Sequence, residues 1–491
     1  MSSSWKKYLA IFLPLAAVVA APILLRNPGE VGAGSADLRL EVITPHTETI
    51  RREIGEAFST WYYEKYGKTV YVNWRTPGGT SEIKRVLDSS YQAAEADGRE
   101  GIGVDLFFGG GEYDFSQQAA LGRFVPLRVF QTKPELFSPN IIPETMSGEI
   151  YYSPNRDWVG VCLSSFGIVY NTDSLARLDL PEPTRWDDLG DPRYRQSLAL
   201  ADPTKSGSVA KAFEMLIQEK IHHHLNSGIP REEALELGWT EGLQLIQRIA
   251  ANSRYFADSA SKVPHDVAQG NAAAGMCIDF YGRTFSEAVK KDDGSSRLKF
   301  VTPIGGTSIS ADPVAILKGA PNHALAQEFV EFLLTKEAQM LWNARVGSEL
   351  GPTHRALRRL PIRRDLYQPP YLETMVDADA MPYEAASRFI YDGSLTGSLF
   401  SAMRVIVRVM CIDSHPEMKE AWEALSEANF PPQATAKFFE VDQVSYSSTL
   451  QNIKPLLKSK DKIEAVRLKS RLGNYFRNNY QEARDLAKEG R

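Results

Sequence analysis

Short apolar strands alternate with amphipathic helices along this chain in two successive blocks, and that alternation restricts it to a layered α/β architecture. After Ala36, LRLEVIT alternates as a strand, and Ile50, Ile54, Phe58 and Trp61 then recur at helical spacing. Val70, Val72 and Trp74 alternate again, PGG breaks the run, and Ile83, Val86 and Leu87 mark a helix face that begins near Thr80. VDLFF gives a third strand, stopped by Gly109, Gly110 and Gly111. Such spacing predicts a parallel sheet, with ligands received at the carboxyl ends of its strands.

The second block repeats the pattern. GVCLSSFGIVYN is a long β-rich stretch, LALADP a short strand, and SGSVAKAFEMLIQ opens a helix after Gly207. AAAGMCIDF and RLKFVTPIGGTSISADPVAIL add further β-structure, and Asn322 is expected to cap one helix running through ALAQEFVEFLLTKEAQMLW. From about residue 400 the text turns to charged helical stretches such as EMKEAWEALSEA, which predict a helical appendix. No repeat of solenoid period is present.

With 491 residues, 43% of them hydrophobic, the chain can build one large bilobal unit or two to three domains. Its 56 basic and 61 acidic residues leave no basic field suited to a nucleic-acid footprint. Cys162, Cys277 and Cys411 rule out a disulfide-dense scaffold, leaving either one bridge or three buried thiols. Lys6 and Lys7 precede an apolar run from Tyr8 to Leu25, an export signal. Residues 1–36 are read either as a cleaved signal peptide or as an uncleaved membrane anchor, because the run nears bilayer-spanning length. No cysteine follows it to carry a lipid.

The clearest chemical signals are glycine-flanked hydroxyls that open helices. In GGTSEIKRVL, Gly79 precedes Thr80 and Ser81 at a first helical turn, where unpaired N–H groups and the helix dipole attract an oxyanion. In DPTKSGSVAKAF, Ser206, Gly207 and Ser208 stand in the same relation. Each alone is more often a simple N-cap, but one opening in each block suits a ligand held between two lobes. His46 follows the first strand and is open between a solvated loop histidine and a ligand group. Gly110, Gly111 and Glu112 end the third strand, where bare backbone or a carboxylate can approach a ligand. Asp279, Tyr281 and Arg283 in IDFYGR combine a carboxylate, a phenol and a guanidinium. Arg283 is open between an anion clamp and a surface salt bridge. His222, His223 and His224 are consecutive on a predicted helix and cannot converge on one metal. No HExxH, CxxC pair, GxSxG or Walker A string occurs, which lowers the case for an enzyme.

The passages LEVITPHTETIRREIGEAF, VDLFFGGGEYDF, Trp158 through GIVYNTDSL, LALADPTKSGS and ISADPVAILKGAPNHALAQEFVEFLLTKEAQ are similar to those of extracytoplasmic solute-binding proteins of ABC importers. The likeness is to their iron, thiamine, putrescine and phosphonate-type group and spans about residues 38–355. It implies an α/β, bilobal, type II periplasmic-binding fold with a helical C-terminal appendix. The implied lobes are residues 37–160 with 308–370, and 165–305, followed by a mainly helical extension over 371–491. The chain would cross between lobes near Trp158–Gly167 and Pro303–Pro313. In ferric-binding members a histidine after the first strand, a carboxylate after the third and two adjacent tyrosines hold the metal. Here His46 and Tyr281 match, whereas Phe280 takes the place of the other tyrosine and the carboxylate position falls nearest Gly110. The loss of a hard phenolate donor argues against iron(III) and for an oxygen-rich organic anion.

The expectation is a monomeric, periplasmic or membrane-tethered receptor that hands a small anion, such as a phosphate ester, phosphonate or carboxylate, to an ABC permease. Neither catalysis, a cofactor, a resident metal nor a nucleic-acid partner is expected. The competing readings are a ferric-iron transporter, a membrane-tethered sensor and a metal-dependent enzyme on the same fold.

Overall fold

The computed structural model describes residues 32, 34–459 and 461–491. The apolar run Tyr8–Leu25, with its choice between signal peptide and anchor, lies outside them. Fourteen strands are present among the described residues: β1 (Leu38–Ile43), β2 (Val70–Arg75), β3 (Leu106–Phe108), β4 (Phe124–Val125), β5 (Thr145–Met146), β6 (Glu149–Ile150), β7 (Trp158–Ser164), β8 (Phe166–Asn171), β9 (Leu198–Ala201), β10 (Ser253–Ala257), β11 (Ala274–Ile278), β12 (Leu298–Val301), β13 (Ser310–Leu317) and β14 (Leu360–Pro361). They form two main sheets, one per lobe. The first runs β14-β7-β13-β3-β1-β2 with β4 paired to β13, and the second runs β10-β9-β11-β8-β12.

The expected all-parallel sheet is corrected to a mixed one in both lobes. β2, β1 and β3 are parallel neighbours, as are β10, β9 and β11, because each is followed by a helix that returns the chain to the same end. β13 and β8 instead enter from the opposite lobe and so run antiparallel to β3 and β11. The stretch GVCLSSFGIVYN divides at Ser165 into β7 of the first sheet and β8 of the second. The chain returns between β12 and β13.

Helices cover both sheets. Glu48–Tyr66 buries Ile50, Ile54 and Phe58, whose spacing announced it, and Thr80–Ala96 buries Ile83 and Leu87. The single helix expected after Pro321 is two, His323–Leu333 and Lys336–Leu341, because Thr335 accepts from the Ala338 N–H and opens a second one. Asn322 does not cap the first with its side chain, which is turned to Asp105 at 3.1 Å.

In the second lobe, helices Gly207–Asn226 and Arg231–Ala251 pack unusually closely. A methyl on Gly238 would stand 2.4 Å from the Ile221 Cα, so glycine is the residue that permits the approach. The C-terminal extension docks on this pair. The Trp239 indole N–H donates to the Val444 carbonyl at 2.8 Å, the Trp422 indole N–H to Asn252 Oδ1 at 2.8 Å, and Gln247 to the Phe438 carbonyl at 3.1 Å. Helix Lys462–Lys488 buries Leu468, Leu472, Phe476 and Tyr480 against the same body. Gly393–Ile412 is long and apolar enough to cross a membrane by composition, and 61% of its 18-residue apolar stretch is buried inside the protein. Cys162, Cys277 and Cys411 are free and buried.

Replacing Gly238 by Ala should therefore cost about 1–3 kcal/mol through overpacking against a backbone that cannot move aside. Urea unfolding of the two proteins measures it; equal stability would show that the helices can separate without penalty.

Candidate functional site

A cavity of about 830 Å³ lies between the lobes and receives residues from both sheets and from the C-terminal extension. Two helix openings meet in it. Gly79 and Thr80 line it from the first lobe, Ser206, Gly207 and Ser208 from the second. They stand close together: a methyl on Gly79 would lie 3.2 Å from the Lys205 carbonyl oxygen, and one on Gly207 3.9 Å from Thr80 Oγ1. No side chain caps the helix Thr80–Ala96, nor Glu112–Ala120, which Gly111 opens beside it. The first turns of both helices line the cavity, where the positive ends of their dipoles are met by acids of their own, Glu82 in the first and Glu112 and Asp114 in the second. Ser206 is both an N-cap, accepting from the Val209 N–H at 3.4 Å, and a cavity residue whose hydroxyl lies 3.1 Å from that of Ser208.

His46 is not a solvated loop histidine. It is 5% exposed, packed on Phe108 at 4.5 Å between ring centroids, and its Nδ1 lies 2.9 Å from Thr44 Oγ1. The same Thr44 hydroxyl accepts from the His46 backbone N–H at 3.1 Å, so one threonine holds both the backbone and the ring of the histidine. Nε2 is buried, lacks a hydrogen-bond partner and stands 4.0 Å from Asp312. Burial, aided by Arg359 and Arg51, pushes the His46 pKa well below the usual range, which keeps the ring neutral. Gly109, at φ 86°, makes room, since a methyl there would fall 2.2 Å from the imidazole. Beside the histidine, Arg359 is bound to Asp312, donates to Ser164 Oγ at 3.3 Å and covers the Phe280 ring at 4.0 Å. Burial raises the Asp312 pKa despite this guanidinium, and it raises that of Tyr281, which also lines the cavity.

A third group is acidic. Lys211 Nζ lies 3.1 Å from Glu214, 3.4 Å from Glu149 and 3.4 Å from the centre of the Tyr391 ring. Burial would depress the Lys211 pKa, but Glu149, Glu214, Tyr391 and Glu112 outweigh it and hold the pKa up. Burial also raises the pKa of Glu112, which accepts a hydrogen bond from the Ser116 hydroxyl in its own helix.

Ten of the residues singled out in the sequence thus line one cavity: His46, Gly79, Thr80, Gly110, Gly111, Glu112, Ser206, Gly207, Ser208 and Tyr281. Three do not. Ser81 lies outside the lining, its hydroxyl accepting from Arg404 at 2.5 Å. Asp279 is wholly buried and Arg283 binds it at 2.5 Å, one helical turn along, with Asp377 3.9 Å away on the far side. The expected anion clamp is instead an internal ion pair, because a carboxylate four residues earlier on the same helix face neutralises the guanidinium first. Lys211, Glu149, Glu214, Asp312, Arg359, Tyr391 and Phe400 line the cavity without having been singled out. Asp312 carried a signal, a carboxylate inside the apolar strand SADPVAIL, as did Lys211 and Glu214 inside the mostly apolar first half of their helix.

A family model described as "Bacterial extracellular solute-binding protein" matches residues 104–356. An uncharacterized protein of Haemophilus influenzae is 26% identical over 66% of this chain and 80% of its own length. The phosphoglycerate transport regulatory protein PgtC of Salmonella typhimurium is 27% identical over 37% of this chain, the match spanning 40% of that protein. Among solved structures, the periplasmic binding protein AfuA of Actinobacillus pleuropneumoniae, with fructose-6-phosphate bound, aligns over 75% of this chain and 99% of its own (TM-score 0.51, 20% identity). A substrate binding protein of an ABC transporter from Agrobacterium tumefaciens aligns over 77% of this chain and 96% of its own (TM-score 0.53, 14% identity). At these identities the structures establish the bilobal fold.

Two outcomes follow from the geometry. Arg283→Ala strips a buried carboxylate of its partner and should lower stability by about 3–5 kcal/mol in urea unfolding. A loss under about 1 kcal/mol would mean that the donors Asp279 already has, the Phe280 N–H at 2.7 Å and the Ser165 hydroxyl at 3.3 Å, suffice to hold it. His46→Gln tests the neutral imidazole. In the unfolded chain His46 takes up a proton near pH 6.5, and in the folded protein it does not until much lower pH. The native protein therefore loses up to about 1.4 kcal/mol of stability per pH unit from this group as pH falls below 6.5. The variant should show a correspondingly shallower acid slope, and identical slopes would exclude a depressed histidine.

Proposed function

The chain belongs to the bacterial extracellular solute-binding proteins, and from that premise we propose that its cleft takes a small, hydroxyl-bearing or amine-bearing organic anion, such as a phosphate ester, and delivers it to an ABC permease. The meeting of two helix openings from opposite lobes in one cavity carries this reading. The walls bear more carboxylates (Glu82, Glu112, Asp114, Glu149, Glu214, Asp258, Asp312) than cations (Lys205, Lys211, Lys262, Arg359). Net charge therefore does not attract the anion; N–H groups at helix ends do, over a short range and in a fixed direction. Lys205, exposed beside the Ser206 opening, adds a positive charge at the rim.

The acidic side of the cavity determines the rest of the ligand. Glu112, Glu149 and Glu214 share a single lysine, so they retain capacity to accept from ligand hydroxyls or an ammonium group. Neutral His46 presents a buried Nε2 that has no hydrogen-bond partner among the described residues. Closure about the crossings at Ser165 and between β12 and β13 brings the two openings onto one anion, and the hydrogen bonds that the anion makes to both lobes at once favour the closed state. No covalent step is needed. Residue placement favours this over ferric iron: His46 and Tyr281 line the cavity, but the Arg359 guanidinium lies on Phe280 beside them and would repel a trivalent cation.

Isothermal titration of the chain from Asp37 onward, with phosphate esters, polyamines and ferric citrate in parallel, decides the class. A phosphate ester is expected to bind, and Thr80→Val to weaken it by about 0.5–1.5 kcal/mol through loss of one hydroxyl. Binding of only a polyamine or only iron would overturn the reading.

A further inference from the structure

The C-terminal extension does more than cover the second lobe, because its segment from Tyr391 to Arg408 passes along the cleft and touches both sides. The Tyr391 N–H donates to the Ser147 carbonyl of the first lobe at 2.8 Å, while its phenol donates to Glu214 of the second at 3.2 Å. The Phe400 ring lies 4.7 Å from that of Tyr113 in the first lobe, whose hydroxyl is 2.7 Å from Ser401 Oγ. Arg404 spans the gap itself. Its Nη2 donates to Ser81 Oγ at 2.5 Å on the first lobe and to the Thr204 carbonyl at 3.1 Å on the second, and its Nε to the Pro203 carbonyl at 2.7 Å. Arg408 adds a bond to Asp202 at 2.5 Å.

We propose that Tyr391–Arg408 is a built-in clasp: it supplies Tyr391 and Phe400 as a third wall of the ligand cavity and pins the two lobes together through Arg404. The two attachments are unequal. The start of the extension is held on the first lobe, where Val376 and Tyr391 donate their N–H groups to the Asn343 and Ser147 carbonyls at 2.7 and 2.8 Å, whereas the part beyond Arg408 is anchored on the second lobe by buried indole, amide and apolar contacts. Toward the first, the segment near Arg404 holds by Ser81 and Tyr113, two side chains that a hinge motion can release. Opening the cleft thus requires undoing the Arg404–Ser81 bond and lifting Phe400 from Tyr113, which ties ligand exchange to the clasp. Its charge also stands next to both helix openings, since Ser81 and Thr204 lie one and two residues from Thr80 and Ser206. The clasp depends on the hinge but not on which ligand the cavity takes.

The test reads distance, so it is independent of the ligand assignment. Spin labels at Ser89→Cys in the first lobe and Asp292→Cys in the second, both exposed positions, report the separation of the lobes in the full chain by pulsed electron resonance. The background protein should give one narrow distance. Arg404→Ala should add a longer population, and Ser81→Ala combined with Tyr113→Phe should do so without disturbing the docking on the second lobe. If Arg404→Ala does not fold, the hydroxyl pair decides alone. A narrow, unchanged distance in the folded variants, or a background already as broad as theirs, would overturn the clasp.

Discussion

Two extended passes of backbone between the sheets are the constraint on which the rest of this molecule depends. At the first, Ser165 separates β7 from β8, and its carbonyl accepts from the Asp279 N–H at 2.9 Å. At the second, Thr307 Oγ1 accepts from the Phe166 N–H at 3.2 Å, tying the two passes side by side. Because each sheet borrows strands from chain that has just left the other, neither lobe is complete in sequence order. That arrangement leaves a single axis of relative motion, and it places the ends of the parallel strands, with the helices that follow them, on the two sides of one cleft.

Buried charge is concentrated around that axis. Arg359, brought in by the segment after the first lobe's helices, reaches Asp312 on β13 and Ser164 on β7, so one guanidinium bridges the strands that carry the crossing. Asp279 and Arg283 form a second pair just beyond it. Such pairs add little net stability over apolar packing, since desolvation offsets their attraction, but removing one partner leaves the other unpaired in the interior. The Arg359 pair also pins register, since a shift of β13 would leave the Asp312 charge unpaired. The cavity follows the same pattern. Its cations Lys211, Lys262 and Arg359 are engaged with carboxylates, while Lys205 stands exposed at the rim.

The extension changes what a hinge of this kind can do. In a two-lobed receptor without it, the cleft would open on solvent along its whole edge. Here an apolar helical segment fills one side and contributes aromatic surface to the cavity, with Arg404 donating to both lobes at the point where they approach. The composition of Gly393–Ile412, apolar enough for a membrane, is explained by burial within the protein.

Local pattern determined which segments became strands and helices, and it marked both helix openings, since a glycine and a hydroxyl before an amphipathic run have few other uses. Those signals are short-range, carried by residues within a turn of one another. The convergence of Thr80 with Ser206 and Gly207, the burial of His46 and the cavity positions of Lys211, Asp312, Tyr391 and Phe400 were decided by tertiary structure, because each depends on chain segments far apart in sequence. Arg283 shows the limit from the other side. The local pattern left it free to be a clamp or an ion pair, and only the fold, by burying Asp279 completely beneath the hinge, decided that its charge was already committed.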